Sequence, residues 1–276
     1  MSPFVGPDPG PALSANEQRD IVPAYFGPHL SEDGSLWRKM AAVMKPGSIA
    51  IMNPNSGPGT ACDEQYEQVI DLFHFYRRGL RVIGYLSTDY GRRLFGDVIA
   101  DIDAYACWYP RLDGFFIDEF NNNAQQRLEN VGSSSVSDYY TAIHVKVSER
   151  PRQILVGNPG NVSDSQGDWA FDVVDVLVTH ENQVATYLAW DQPNWVYPRT
   201  DRDHSYRNAH LVHGVQRSVV SAAPSQERRV LAASRARHAG YIFSTDEAAP
   251  PEARLWDRLP ASWGNRLAYP LPLKRR

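Results

Sequence analysis

The chain is poor in cysteine: Cys62 and Cys107 are the only two in 276 residues. That is too few for a disulfide framework, and it leaves one bridge or two reduced thiols as open alternatives. Basic charge is not in excess either. Twenty-eight Lys and Arg stand against 32 Asp and Glu, a net charge of −4, so the footprint of a nucleic-acid partner is missing. No apolar run approaches the roughly 18 residues of a membrane span. No G-x-S-x-G elbow is present, which removes the usual serine hydrolase signature. "NPNSGPG" (53–59) lacks the lysine of a Walker phosphate loop. The first twenty residues, "MSPFVGPDPGPALSANEQRD", have no basic stretch followed by an apolar one. They read as a flexible arm, 1–20, outside a single domain, 21–276. On that reading the protein is cytoplasmic as the chain stands, and secreted if its first residue is a processed end.

What the chain does have is apolar and aromatic material, 42% and 11%. The aromatics suit a packed core and, more weakly, the stacking faces of a sugar site. Eight short apolar runs recur along it: "IVPAYF" (21–26), "SIAIMNP" (48–54), "RVIGYL" (81–86), "GFFIDE" (114–119), "QILVGNP" (153–159), "VLVTHEN" (176–182), "AHLVHGV" (209–215) and "YIFST" (241–245). Nearly continuous hydrophobicity over four to seven residues is the pattern of parallel strands buried on both faces. Segments with helical spacing lie between them, notably 63–79, 92–109, 135–150 and 225–240, the last with Gly240 as its terminator. The spacing of about 31 residues per unit predicts an α/β fold, a (β/α)8 TIM barrel. The competing doubly wound sheet would be expected to carry a glycine-rich first turn, and "AYFGPHLSEDG" does not.

In such a barrel the chemistry sits at the C-terminal strand ends, and nearly every run here ends polar. Strand one runs into Tyr25, strand two into Asn53 and Asn55, and strand three into Tyr85, Asp89 and Tyr90. Strand four ends in Asp118 and Glu119, strand five in Asn158, and strand six in His180 and Glu181. Strand seven carries His210 and His213, and strand eight leads to Asp246. The opposite ends show no such bias.

Burying an unpaired carboxylate costs several kcal/mol, so the pair Asp118–Glu119 at the end of an apolar strand needs a reason. Either a cation neutralises it or it opens into a pocket that uses it. Alternation sends the two to opposite faces, with either one the inward candidate. Glu181 is the natural partner, because two carboxylates across a cleft are the minimum for glycoside hydrolysis. Its neighbour His180, if protonated, would hold the acid's pKa down. A metal-dependent hydrolase is disfavoured, since strand one has no His-x-His and His210 and His213, three apart, cannot both face inward. The set calls for a carbohydrate substrate, with no cofactor, metal, nucleic acid or membrane.

Taken together, "VPAYFGP", "IAIMNPNSGPG", "VIGYLSTDYGRR", "DGFFIDE", "VVDVLVTHEN", "HLVHG" and "AGYIFSTD" resemble the spherulin-4 family, glycoside hydrolase family 135, in order along nearly the whole chain. The resemblance implies a (β/α)8 barrel and an endo-acting hydrolase of α-1,4-linked galactosamine or N-acetylgalactosamine. It places the family acids on Asp118, Glu119 and Glu181. By analogy with retaining barrels, Asp118 would be the nucleophile, Glu181 the general acid/base, and Glu119 a neighbour that tunes or binds.

Overall fold

A computed structural model describes residues 17–31, 35–76, 79–129, 131–199, 202–216, 225–248 and 255–263. Eight strands form where the apolar runs predict them: β1 Arg19–Ala24, β2 Ile49–Met52, β3 Arg81–Ser87, β4 Gly114–Asp118, β5 Ile154–Asn158, β6 Val176–Gln183, β7 Asn208–His213 and β8 Tyr241–Ser244. They close in sequence order, every neighbour parallel, with β8 returning to β1. Helices α1 Leu36–Val43, α2 Glu64–Phe75, α3 Phe95–Trp108, α4 Val136–Ser148, α5 Val184–Ala189 and α6 Gln226–Ala236 lie between them. None of these helices is long and apolar enough to cross a membrane.

The helices start where side chains can satisfy the free N–H groups of a first turn. Asp63 accepts from the Gln65 N–H, Ser135 from Asp138 and Ser225 from Arg228. α2 buries the expected stripe of Tyr66, Val69, Ile70 and Phe73. α3 starts at Phe95 and not at 92, because Arg92 and Arg93 are still held by the preceding turn. Their N–H groups bond the carbonyls of Asp89 and Thr88.

Two expectations change. The fold begins before residue 21: Gln18 is buried and its amide donates to Ser234 Oγ and the Ala239 carbonyl, both at 2.9 Å. The predicted arm is therefore shorter than 1–20, and its residues 1–16, like the end of the predicted domain at 264–276, lie outside the described residues. Gly240 is not the helix terminator. His238 takes the left-handed conformation, φ +55°, after α6. Gly240 instead lets the chain pass Tyr206, whose Cα would stand 2.3 Å from an added Cβ.

Gly114 is the tightest point of the barrel wall. Its φ is +147°, and a Cβ there would fall 2.0 Å from the Ile154 carbonyl oxygen of the neighbouring strand. Gly114→Ala is expected to lose about 2–4 kcal/mol in chemical denaturation, by combining strain with a backbone clash. Gly160→Ala, also left-handed but with open space around it, is expected to lose only about 1 kcal/mol.

Candidate active site

The register decides which strand residues face the barrel interior. Gly84 and Gly157 mark the outer face, since a Cβ on either would meet Tyr105 of α3 or Phe120. Counting from them along the paired strands, Tyr85, Phe116, Asp118 and Asn158 face inward. Asp118, and not Glu119, thus continues the inward row of β4. The Tyr85 ring stands 6.3 Å from Phe116 and meets Tyr25 edge-on at 5.6 Å.

β6 reaches the same interior by an irregularity. Val178 pairs with Ala209, but the next pair is His180 with His210, leaving Thr179 as an extra residue. Leu177 lies in register with outward Gly157. Strict alternation from Leu177 would send Glu181 outward as well. The bulge reverses this, a known way of re-aiming a side chain beside a site. Glu181 now pairs with Leu211 on the inner face, and His180 turns out toward the helices.

Three acids gather at the mouth. The Tyr85 hydroxyl donates to Asp118 Oδ2 at 2.9 Å. Asn158 Nδ2 donates to both Asp118 Oδ1, at 2.8 Å, and Glu181 Oε2, at 2.6 Å. Its own carbonyl accepts the Gly160 N–H at 3.0 Å, which fixes the amide's orientation. Glu119 leaves the strand with φ +52°. Its carbonyl takes bonds from the Tyr90 N–H and the Thr88 hydroxyl, and its carboxylate takes one from the Ser87 hydroxyl. Among the described residues, none of the three acids is in an ion pair.

Without a cation, burial dominates the titration. Burial, then the charge of Asp118, pushes Glu181 up to about 7, against the pull of the Asn158 bond. Burial raises Asp118 too, but three hydrogen bonds oppose it, from Tyr85, the Glu119 N–H and Asn158. The pair is therefore split: Asp118 is the better anion and Glu181 the better proton holder.

The other candidates divide. Tyr25 packs on the Tyr85 ring that bonds Asp118, and its hydroxyl is raised by burial first and then by the Asp118 charge. The Tyr90 ring is 44% exposed, and its phenol is raised by burial and then by Glu119, Asp118 and Glu181. His213 falls on the inner face with Leu211, opposite Gln183, and is buried and kept neutral. Asn53 closes its own loop by accepting the Gly57 N–H at 3.2 Å, and Asn55 is exposed on that turn.

Three further candidates are held by neighbours within the protein. Asp89 turns to an ion pair with Arg92 at 2.6 Å. Asp246 is bound to the Ala261 N–H and Arg258. His180 packs between Tyr187 and Trp190, and burial, then the Arg237 charge, lowers it to about 3. It stays neutral and cannot depress Glu181. The polar bias is not one-sided either, but the acids at the other end are structural. Asp113 and Asp175 accept the N–H groups of Val82 and Leu155, each at 2.8 Å. Ser87 was missed, although its pairing with Asp118 in the β3–β4 register is the signal that would find it.

A closed parallel barrel with a carboxylate cluster at its C-terminal mouth defines the class. Within that class the chain belongs to the spherulation-specific family 4, Spherulin4, whose model matches residues 20–269. Spherulin-4 of Physarum polycephalum is 29% identical over 246 residues, covering 86% of this chain and 66% of that protein. The chain thus spans just under two thirds of that relative. The crystal structure of Aspergillus clavatus Sph3 in complex with GalNAc superposes with a TM-score of 0.65 at 22% identity, covering 93% of this chain and 96% of that one. At that identity the likeness establishes the fold.

The elevated Glu181 has a thermodynamic consequence. Its folded pKa, about 7, lies above its ordinary value of 4.5, so stability falls as pH rises from the lower value through the higher. Glu181→Gln removes the buried charge. It is expected to stabilise the protein by about 3 kcal/mol at pH 8 and by well under about 1 kcal/mol at pH 4.5, as read from urea denaturation at both pH values.

Proposed function

We propose that the protein is a retaining, endo-acting glycoside hydrolase of α-1,4-linked galactosamine or N-acetylgalactosamine polymers. The supporting observation is the shared Asn158 amide. Because one nitrogen bonds both Asp118 and Glu181, the bonded oxygens are at most about 5.4 Å apart. That agrees with the roughly 5–5.5 Å of retaining enzymes and is shorter than the roughly 6.5–9.5 Å of inverting ones.

Asp118 is the nucleophile in this mechanism. Its oxygen attacks the anomeric carbon while Glu181, protonated near neutral pH, delivers its proton to the departing glycosidic oxygen. A covalent glycosyl-enzyme results, and Asp118 loses its charge. That charge is the second largest cause of the raised Glu181 pKa. Glu181 consequently becomes more acidic after the first step, as a general base for the incoming water requires. Tyr85 and Asn158 hold the nucleophile in place. The exposed Tyr90 ring, beside the acids, offers a stacking face to a sugar. The choice of amino sugar follows the family assignment and the GalNAc found in Aspergillus clavatus Sph3.

Asp118→Asn is expected to abolish cleavage of galactosaminogalactan, and Glu181→Gln to lower kcat/KM by about 10²–10⁴-fold. Both variants should keep the wild-type circular dichroism. The wild-type rate should fall above pH 7 as Glu181 loses its proton, and NMR of the first product should show the retained anomer. Wild-type turnover in both variants would refute the assignment. Cleavage confined to soluble small glycosides would retain the chemistry and reject the polymer.

A further inference from the structure

We propose that Cys62 and Cys107 form an intramolecular disulfide on exposure to a small-molecule disulfide, making them a modification site separate from the barrel mouth. Both thiols are free and exposed. Cys62 ends the 53–62 loop, one residue before the Asp63 cap of α2, and Cys107 lies in the last turn of α3. The two segments are held together around the thiols. Cys62 Sγ stands 3.6 Å from the carbonyl oxygen of Trp108, the residue next to Cys107. The Asp63 N–H donates to the Tyr109 hydroxyl at 3.0 Å, and the Tyr66 ring meets that of Tyr109 edge-on at 6.3 Å. Further back, Gly57 faces Asp101 of the same helix. The loop is thus laid along α3, with Cys62 and Asp63 already touching Trp108 and Tyr109 just past Cys107.

The chemistry closes without any group from the active site. One thiolate attacks oxidised glutathione, forming a mixed disulfide and releasing one reduced glutathione. The second protein thiolate attacks the protein sulfur of that mixed bond and expels another. Two protein thiols give up two electrons and two protons, and one glutathione disulfide becomes two thiols. Partial burial, followed by Glu67, Glu64 and Asp63, pushes the Cys62 thiol up, with Cys107 itself among the lesser causes. The bond would close a loop of about 45 residues and anchor the far end of the segment that carries Asn53 and Asn55.

The test uses the whole protein, incubated with oxidised glutathione and then alkylated. The free thiol titre should fall from two to zero. A non-reducing tryptic digest should give one cross-linked peptide pair, since Arg93 lies between the two cysteines. The Tm should rise by about 5 °C, and dithiothreitol should return it. Cys62→Ser and Cys107→Ser should each lose the cross-link and the Tm gain while keeping the reduced protein's Tm. Persistent free thiols, stable glutathione adducts on both cysteines, or a cross-link only between molecules would each overturn the proposal.

Discussion

The mouth of the barrel depends on one amide. Asn158 has two N–H bonds to give, and it gives one to Asp118 and one to Glu181. Its carbonyl is already committed to the Gly160 N–H, so the group cannot turn over and present an acceptor to the acids. Two carboxylates this close, with no ion-paired cation among the described residues, cannot both hold full charge at low cost. The strain is resolved by a proton. Asp118, with Tyr85 and its own neighbour's N–H as further donors, keeps the charge better, and Glu181 keeps the proton. The better anion and the better proton holder are thus told apart by counting hydrogen bonds. Both are half-buried carboxylic acids at the ends of strands, so residue type does not distinguish them.

Positioning those groups takes two departures from regular strand geometry. At β6 the extra residue Thr179 exchanges the facings of His180 and Glu181. At β4 the left-handed Glu119 ends the strand and turns its carboxylate to the Ser87 hydroxyl, while Asp89 and Tyr90 are left-handed across from it. Each such non-glycine residue holds roughly 1–3 kcal/mol of strain. The Tyr90 N–H and the Thr88 hydroxyl, both bonded to the Glu119 carbonyl, keep the two turns locked together. The rigid wall behind them, with Gly84 and Gly114 allowing close approach of Tyr105 and Ile154, supplies the stiffness that the turns need.

The outward side of the β6 bulge shows the complementary effect. His180 sits among Tyr187, Trp190 and His210, and His210 Nδ1 is paired with the Tyr187 hydroxyl at 2.8 Å. Arg237 lies over the Tyr187 and Trp190 rings. Burial and that fixed positive charge keep the imidazoles neutral. A histidine next to a catalytic candidate in the sequence is therefore part of the helix–sheet packing in the fold. Asp89 and Asp246 are engaged for a related reason. An acid after a strand looks the same in sequence whether a nearby arginine claims it or not, and Arg92 and Arg258 do claim these two.

The sequence by itself determined the barrel, its eight strands, most of its helices and the identity of the acids at the mouth. Those features follow from local periodicity and from the high cost of leaving carboxylates at the end of a buried strand without a use. Only the tertiary structure decided which acid faces in, which one holds the proton, and that His180 is turned away. Facing depends on cross-strand register and on a single inserted residue, and proton affinity depends on burial and on donors from the neighbouring strands β3 and β5. Both are set by neighbours far apart in the chain, and no local pattern records them.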